Sequence, residues 1–108
     1  MPNTQGPSID PEKARRENLR WYILLTLNAA RPIGTSEAVV LSTVQGIVTD
    51  CTPRELRNEL DYLCHRDLIT LERRDTPIWH AELTRLGIDV TEYTVACDAG
   101  IARPQKYW

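Results

Sequence analysis

A chain of 108 residues, of which 42% are hydrophobic and 26% are charged, has the size and composition of one globular domain with its own core. Its apolar runs fall short of the roughly 20 residues that span a bilayer, and the polar N-terminus lacks the apolar stretch of a signal peptide, so we expect a cytoplasmic protein. The net charge of −2 argues against strong non-specific binding to nucleic acid, although it is compatible with a site-specific reader whose positive charge is local.

The first helix is predicted to follow a disordered lead of residues 1–10. Asp10 can cap a helix and Pro11 suits the first helical position. No glycine or proline then interrupts the chain to about Ala30. An apolar stripe at helical spacing is expected to seat this helix on the core. The stripe consists of Leu19, Ile23, Leu27 and Ala30.

A second helix is predicted after a break at residues 31–34, which is short enough for a bend or a one-bridge strand. Thr35 or Ser36 can cap this helix, and Gly46 is expected to end it. Its buried positions are expected to be Ala38, Leu41, Val44 and Val48.

The third helix, over residues 52–66, has the clearest start in the sequence. Thr52 can cap it, Pro53 suits its first position, and Glu55 stands where a capping box would close. One side of the helix is apolar, with Leu56, Leu60, Leu63 and Cys64. The opposite side is polar, with Arg54, Asn58, Asp61 and His65.

A β-hairpin is predicted next. Ile69 and Leu71 alternate with polar residues, residues 73–77 form a polar turn, and Trp79, Ala81 and Leu83 alternate on the return strand. Thr84 can cap a short fourth helix. The domain is therefore expected to span residues 11–93, followed by a tail of residues 94–108. The expected core combines Leu27, Leu41, Leu56, Leu60, Leu63, Ile69, Leu71 and Leu83.

The order of three helices and a hairpin resembles that of winged helix-turn-helix domains, an α+β fold. The stretches "TPRELRNELDYLCHRDLITLERR" and "WHAELTRLGIDV" carry this resemblance, which covers roughly residues 12–92. The chain also resembles small, little-characterised proteins of Mu-like phages and prophages, through "ELDYL", "LTRLGIDV" and "GIARP". The likeness is specific for the fold and weak for function.

The resemblance implies a phage or prophage regulator that reads duplex DNA. In such domains the third helix enters the major groove, and the hairpin touches phosphate or the minor groove. Arginine and asparagine can pair with guanine and adenine edges, and Tyr62 and His65 extend the same surface. The candidate DNA contacts are Arg54, Arg57, Asn58, Tyr62 and His65 on the helix, with Arg73 and Arg74 on the hairpin.

The alternative is a protein–protein adaptor or assembly factor of a Mu-like phage, using the same fold and binding a phage or host protein. A polar face of arginine, asparagine and aspartate is also what an ordinary solvated helix shows. Nearby acidic residues offset its positive charge: Glu55, Glu59, Asp61 and Asp67.

No enzyme, cofactor or metal is predicted. The two histidines, His65 and His80, lack an evident nucleophile and carboxylate beside them, and no glycine-rich phosphate loop is present. The three cysteines have no C-x-x-C spacing, and reduced thiols are the simplest interpretation.

A homodimer is predicted from the first helix, because Trp21, Leu24 and Leu25 lie off its main apolar stripe. A small monomer should not leave them bare. They are expected to be covered by a second copy of the chain, or by a tail that folds back with Tyr107 and Trp108.

Overall fold

The computed structural model describes residues 9–72 and 77–106. The predicted order of three helices, a hairpin and a short fourth helix is confirmed. The elements are α1 (Pro11–Ala29), β1 (Thr35–Ser36), α2 (Glu37–Val44), α3 (Pro53–His65), β2 (Ile69–Glu72), β3 (His80–Leu83) and α4 (Arg85–Thr91). Within the described ranges, no helix is both long enough and apolar enough to cross a membrane.

The sheet has three strands, because β1 joins the expected hairpin. The strand order is β1-β3-β2, and both pairs are antiparallel. Ile69 of β2 is in register with Leu83 of β3, and Thr35 of β1 is in register with Ala81. Gly34 precedes β1 with a φ of +80°, and a Cβ at this position would collide with the Ala81 carbonyl oxygen. The close approach of β1 to β3 therefore requires a glycine.

The cap predicted for α3 is half confirmed. Thr52 Oγ1 accepts the backbone N–H of Glu55 at 3.1 Å, as expected for an N-cap. The reciprocal half of the capping box is wrong, because the Glu55 carboxylate accepts hydrogen bonds from Arg15 of α1 instead. The acidic side chain thus ties two helices together rather than closing a local ring.

The end of α3 makes the sharp turn into β2. Asp67 has a φ of +61°, and its N–H donates to the Cys64 carbonyl while the N–H of Leu68 donates to that of Leu63. This pair of hydrogen bonds is a Schellman motif, which satisfies the last carbonyl groups of the helix. The chain therefore passes directly from α3 into the sheet.

The core lies between α1, α3 and the inner face of the sheet. Most of the expected members are buried, whereas Leu41 and Leu71 are only partly buried at its edge. In α2, Val40 and Val44 are buried and Ala38 is exposed, so the expected position of Ala38 is wrong. The largest fully buried side chains are Leu19, Ile23, Leu24, Leu27, Val40, Val44, Leu56, Leu60, Leu63 and Ile69.

The prediction that Trp21 and Leu24 form a dimer interface is wrong. Both side chains are buried within the same chain, with exposures of 5% and 0%, whereas Leu25 remains 40% exposed. The Trp21 ring packs edge-on against Tyr93, with 6.2 Å between the ring centroids. The chain itself thus covers Trp21 and Leu24, whereas Leu25 stays at the surface of α1.

The segment after residue 93 belongs to the domain, and the boundary predicted there is wrong. Ile101 lies in the core cluster, and the N–H of Ala102 donates to the Glu17 carbonyl of α1 at 3.1 Å. Arg103 donates to the carbonyl oxygens of Val90 and Val95. Residues 1–8, Tyr107 and Trp108 are outside the described residues, so the predictions of a disordered lead and a folded-back end stay predictions.

Candidate nucleic-acid interface

The outward face of α3 carries the polar residues that its sequence spacing predicts. Arg54, Asn58 and His65 are exposed along this face, with Asp61 half-buried between them. His65 Nδ1 lies 2.9 Å from the carbonyl oxygen of Asp61. With respect to the described residues, Arg54 and Asn58 have neither a hydrogen-bond nor an ion-pair partner, so both are available to an external ligand.

Arg57 is placed differently from Arg54 and Asn58. Its Nε and Nη2 donate to the two carboxylate oxygens of Glu37 at 2.7 and 2.6 Å. Nη2 also donates to the Pro77 carbonyl at 2.7 Å, and the guanidinium stacks over the Trp79 ring at 4.4 Å. Since these guanidinium donors are engaged within the chain, Arg57 joins α3 to α2 and to the hairpin.

The Glu37 carboxylate accepts a backbone hydrogen bond in addition to its ion pair with Arg57. The donor is the backbone N–H of Trp79, at 2.7 Å. The hydrogen bonds from Arg57, followed by the bond from Trp79, hold the pKa of Glu37 below its ordinary value despite partial burial. The Glu37 carboxylate therefore stays ionised at neutral pH, and it links α2 to α3 and to the residue just before β3.

Tyr62 lies on the flank of α3 that faces α1 and the C-terminal segment. Arg20 stacks over its ring at 3.6 Å, and its hydroxyl accepts a hydrogen bond from Arg66. Arg20 Nε also donates to the buried carboxylate of Glu59 at 2.6 Å. Gly100 packs so closely that a Cβ there would collide with the Tyr62 hydroxyl. Tyr62 thus holds the domain together on this flank.

A groove of about 640 Å³ runs beside the outward face of α3, between α2 and the start of the return strand. This groove was not predicted from the sequence pattern. Its walls are largely apolar, with Ala38, Leu41, Ile78 and Trp79, and Arg54, Asn58 and Asp61 stand at its polar side. Ile78 is 52% exposed. The adjacent pair Ile78 and Trp79 could have indicated this groove. In an extended chain, successive side chains point to opposite faces, so one of two consecutive large apolar residues is left on the solvent-facing side.

Five of the nine arginines in the described residues form an ion pair with a carboxylate. The arginines with such a partner are Arg15, Arg20, Arg31, Arg57 and Arg85. Of the two arginines on α3, Arg57 is paired with Glu37, whereas Arg54 is exposed and has no carboxylate partner among the described residues. Arg73 and Arg74 lie outside the described residues, and their contact with DNA stays a prediction.

The cysteines do not form a reactive or metal-binding centre in the part of the chain that is described. Cys51, Cys64 and Cys97 are free thiols, and no group of three His, Cys, Asp or Glu in the described ranges is arranged to hold a metal ion. Burial raises the pKa of the Cys51 thiol to about 11, so this side chain is protonated at neutral pH.

The fold matches that of a protein crystallised on DNA. A chain in the crystal structure of an S. aureus MepR–DNA complex superposes with a TM-score of 0.60 and 23% sequence identity, over 77% of this chain and 70% of that chain. This chain is a winged helix-turn-helix domain. No protein-family model matches the sequence, and no curated protein matches it. At this identity the likeness to MepR shows the fold.

Proposed function

We propose that this domain binds duplex DNA, with α3 in the major groove and with Arg54 and Asn58 reading base edges. The observation that carries the proposal is the pair of free side chains at adjacent turns of an exposed α3, in a fold shared with a protein crystallised on DNA. A guanidinium can pair with the O6 and N7 atoms of guanine, and a carboxamide with the N6 and N7 atoms of adenine.

The other predicted residues take supporting roles in this proposal. The ion pair between Arg57 and Glu37 holds α3 at a fixed angle to the hairpin, since Glu37 also binds the backbone of Trp79. His65 extends the same face toward the C-terminal end of the helix. Arg73 and Arg74 would contact phosphates, which position the protein without reading sequence.

The charge of the chain sets the kind of binding that we propose. With a net charge of −2, and with five of the nine described arginines paired to carboxylates, non-specific affinity is expected to be weak, so discrimination must come from base contacts. A weak non-specific background suits a regulator that acts at few sites. On the sequence resemblance to proteins of Mu-like phages, we propose a non-enzymatic regulator of a phage or prophage.

The proposal is tested by duplex selection followed by fluorescence anisotropy. Arg54→Ala should weaken binding to the selected duplex by about 1–3 kcal/mol, the range for a bidentate base contact. Arg16→Ala is the matched control, because it removes the same charge from an exposed position on α1. If both variants weaken binding equally, or if the wild type binds no duplex at micromolar protein near physiological salt, the proposal fails.

A second candidate function is a phage adaptor or assembly factor, and the groove beside α3 is the observation that favours it. Ile78 is 52% exposed at this groove, next to Leu41 and Trp79, and an apolar side chain of a partner protein would fill it. Ile78→Ser separates the two functions. It should abolish capture of a protein partner if the groove is the binding site, and it should leave base discrimination on duplex DNA unchanged.

A further inference from the structure

Helix α2 borders a second groove, on the side away from the candidate nucleic-acid interface. Ala38 and Leu41 line the groove beside α3, whereas Val39 and Thr43 line a groove between α2 and α1. The two grooves are thus separated by α2 itself. A ligand in the groove between α1 and α2 would leave Arg54 uncovered.

The groove between α1 and α2 is uncharged along its whole length. It consists of two adjoining hollows of about 280 and 250 Å³, which share Thr26, Ala29 and Thr43. Among the residues that the structure describes, none that lines either hollow is acidic or basic, in a chain of which 26% is charged. Large apolar side chains stand along the groove, with Leu25 40%, Val39 50% and Ile47 62% exposed. These three side chains lie together on one uncharged groove, which makes it a candidate interaction surface.

The described part of the C-terminal segment is not the cover of this groove. It is held along a different flank of α1, where Ala102 N–H binds the Glu17 carbonyl and Arg20 binds the Gly100 carbonyl. Tyr93 packs there on Trp21, which does not line either hollow. Residues 94–106 therefore leave the groove open.

We propose that the occupant is a second copy of this chain, packed groove against groove around a two-fold axis. Two uncharged surfaces bring no like charges together and leave no buried charge without a partner. A nucleic acid or a charged peptide finds no complementary charge among the lining residues. The lack of charge on the lining thus favours an uncharged partner surface, such as the same groove of a second copy, over a nucleic acid or a charged peptide.

The shape of the groove suits an interface in which each copy presents the same patch. Leu25 and Val39 project from its two walls, and the hollows share small side chains at Ala29, Thr26 and Thr43. In a two-fold interface, the projecting residues of one copy meet the hollows of the other. Because the lining is smaller than the roughly 20–30 residues per side of a standard interface, we expect reversible dimerisation with a Kd in the micromolar range.

Sedimentation velocity on the full chain without DNA tests the proposal. The wild-type mass should rise from one chain to two between low micromolar and near-millimolar concentration. Leu25→Arg should keep the mass of one chain throughout, since it would bury a charge without a partner. Leu86→Arg is the matched control, because Leu86 is 42% exposed on α4, close to the 40% of Leu25, and it should leave dimerisation unchanged.

Thr43→Arg, on the opposite wall of the groove, gives an independent test should Leu25→Arg fail to fold, and it should also abolish dimerisation. Circular dichroism establishes that each variant is folded. A single-chain mass for the wild type at all concentrations overturns the proposal, as does equal dissociation of Leu86→Arg. If removal of Tyr107 and Trp108 converts a monomeric wild type into a dimer, the chain's own end is the occupant and the proposal is also wrong. Since no DNA is present, these outcomes are separate from failure of the proposed function.

Discussion

Arg57 and Glu37 form a two-pronged ion pair between α3 and the first residue of α2, with N···O distances of 2.7 and 2.6 Å. The same carboxylate accepts the N–H of Trp79 just before β3, so two helices and the hairpin meet at one side chain. In the proposed function, α3 and the hairpin contact the same duplex. The ion pair would then set the distance between two DNA-contacting elements while touching no base.

The Glu37 ion pair should make stability depend on pH. Arg57 holds the pKa of Glu37 below its ordinary 4.5, so the stabilisation is fully present above about pH 4.5 and is lost as the pH falls through the lowered pKa. Glu37→Gln should therefore lower the Tm at pH 7 and have a shrinking effect in acid. Thermal unfolding between acid pH and pH 7 measures the change in Tm, and Glu82→Gln, at an exposed position, is the control. An equal loss of Tm at every pH would contradict the assignment.

Leu60 should be among the most sensitive positions of the core. It is fully buried, and truncation to alanine removes apolar contacts and leaves a cavity, at a cost of about 2–5 kcal/mol in the free energy of unfolding. Leu86→Ala, at a 42% exposed leucine, should cost clearly less. Urea unfolding of both variants provides the comparison. Similar costs for the two would show that α3 is not packed as described.

Gly87 should reverse the usual effect of a glycine-to-alanine change in a helix. Such a change normally stabilises a helix interior by about 0.5–1 kcal/mol. A Cβ at Gly87, however, would collide with the Leu68 carbonyl and press on Leu83. We expect Gly87→Ala to destabilise by about 1–3 kcal/mol, as overpacking does. Gly46→Ala, whose Cβ would meet only the Thr43 carbonyl at 3.2 Å, should cost less. Stabilisation by Gly87→Ala would refute the close packing of α4 on the chain before β2.

The segment after α4 should contribute to folding, although the sequence suggested a tail. Ile101 is 8% exposed in the core cluster, and Ile101→Ala should cost about 2 kcal/mol or more. Val95→Ala, at a position that is 36% exposed, is the control and should cost little. Denaturant unfolding of both variants measures the loss in the free energy of unfolding. Equal and small losses would show that the domain ends at residue 93, as predicted from the sequence.

The parts of the fold that were predicted correctly rest on local chemistry. The Thr52 cap with Pro53, and the alternation around Ile69 and Leu83, depend on neighbours in sequence, so the pattern is sufficient. Which face of α2 is buried could not be predicted. Val39, Val40 and Leu41 are consecutive apolar residues, and the side chain of any of them could face the core.

The errors at α1 and in the site come from partners far away in sequence. Trp21 is covered by Tyr93, and α3 and α1 are joined through Glu55 and Arg15, pairs that no local spacing indicates. The ion pair of Arg57 spans 20 residues for the same reason. By contrast, the exposure of Arg54 and Asn58 followed from the helical period of α3 alone.

Base reading by α3 is tested most directly by the affinity of the wild type and of Asn58→Ala for a selected duplex and for its single-base variants. The wild type should lose about 1–3 kcal/mol at each specifying base pair, and Asn58→Ala should lose discrimination at one position only. Arg73→Ala with Arg74→Ala should instead weaken binding to all duplexes and reduce its salt dependence. If Asn58→Ala weakens every duplex by the same factor, or leaves the wild-type profile unchanged, α3 does not read bases through this side chain and the account is contradicted.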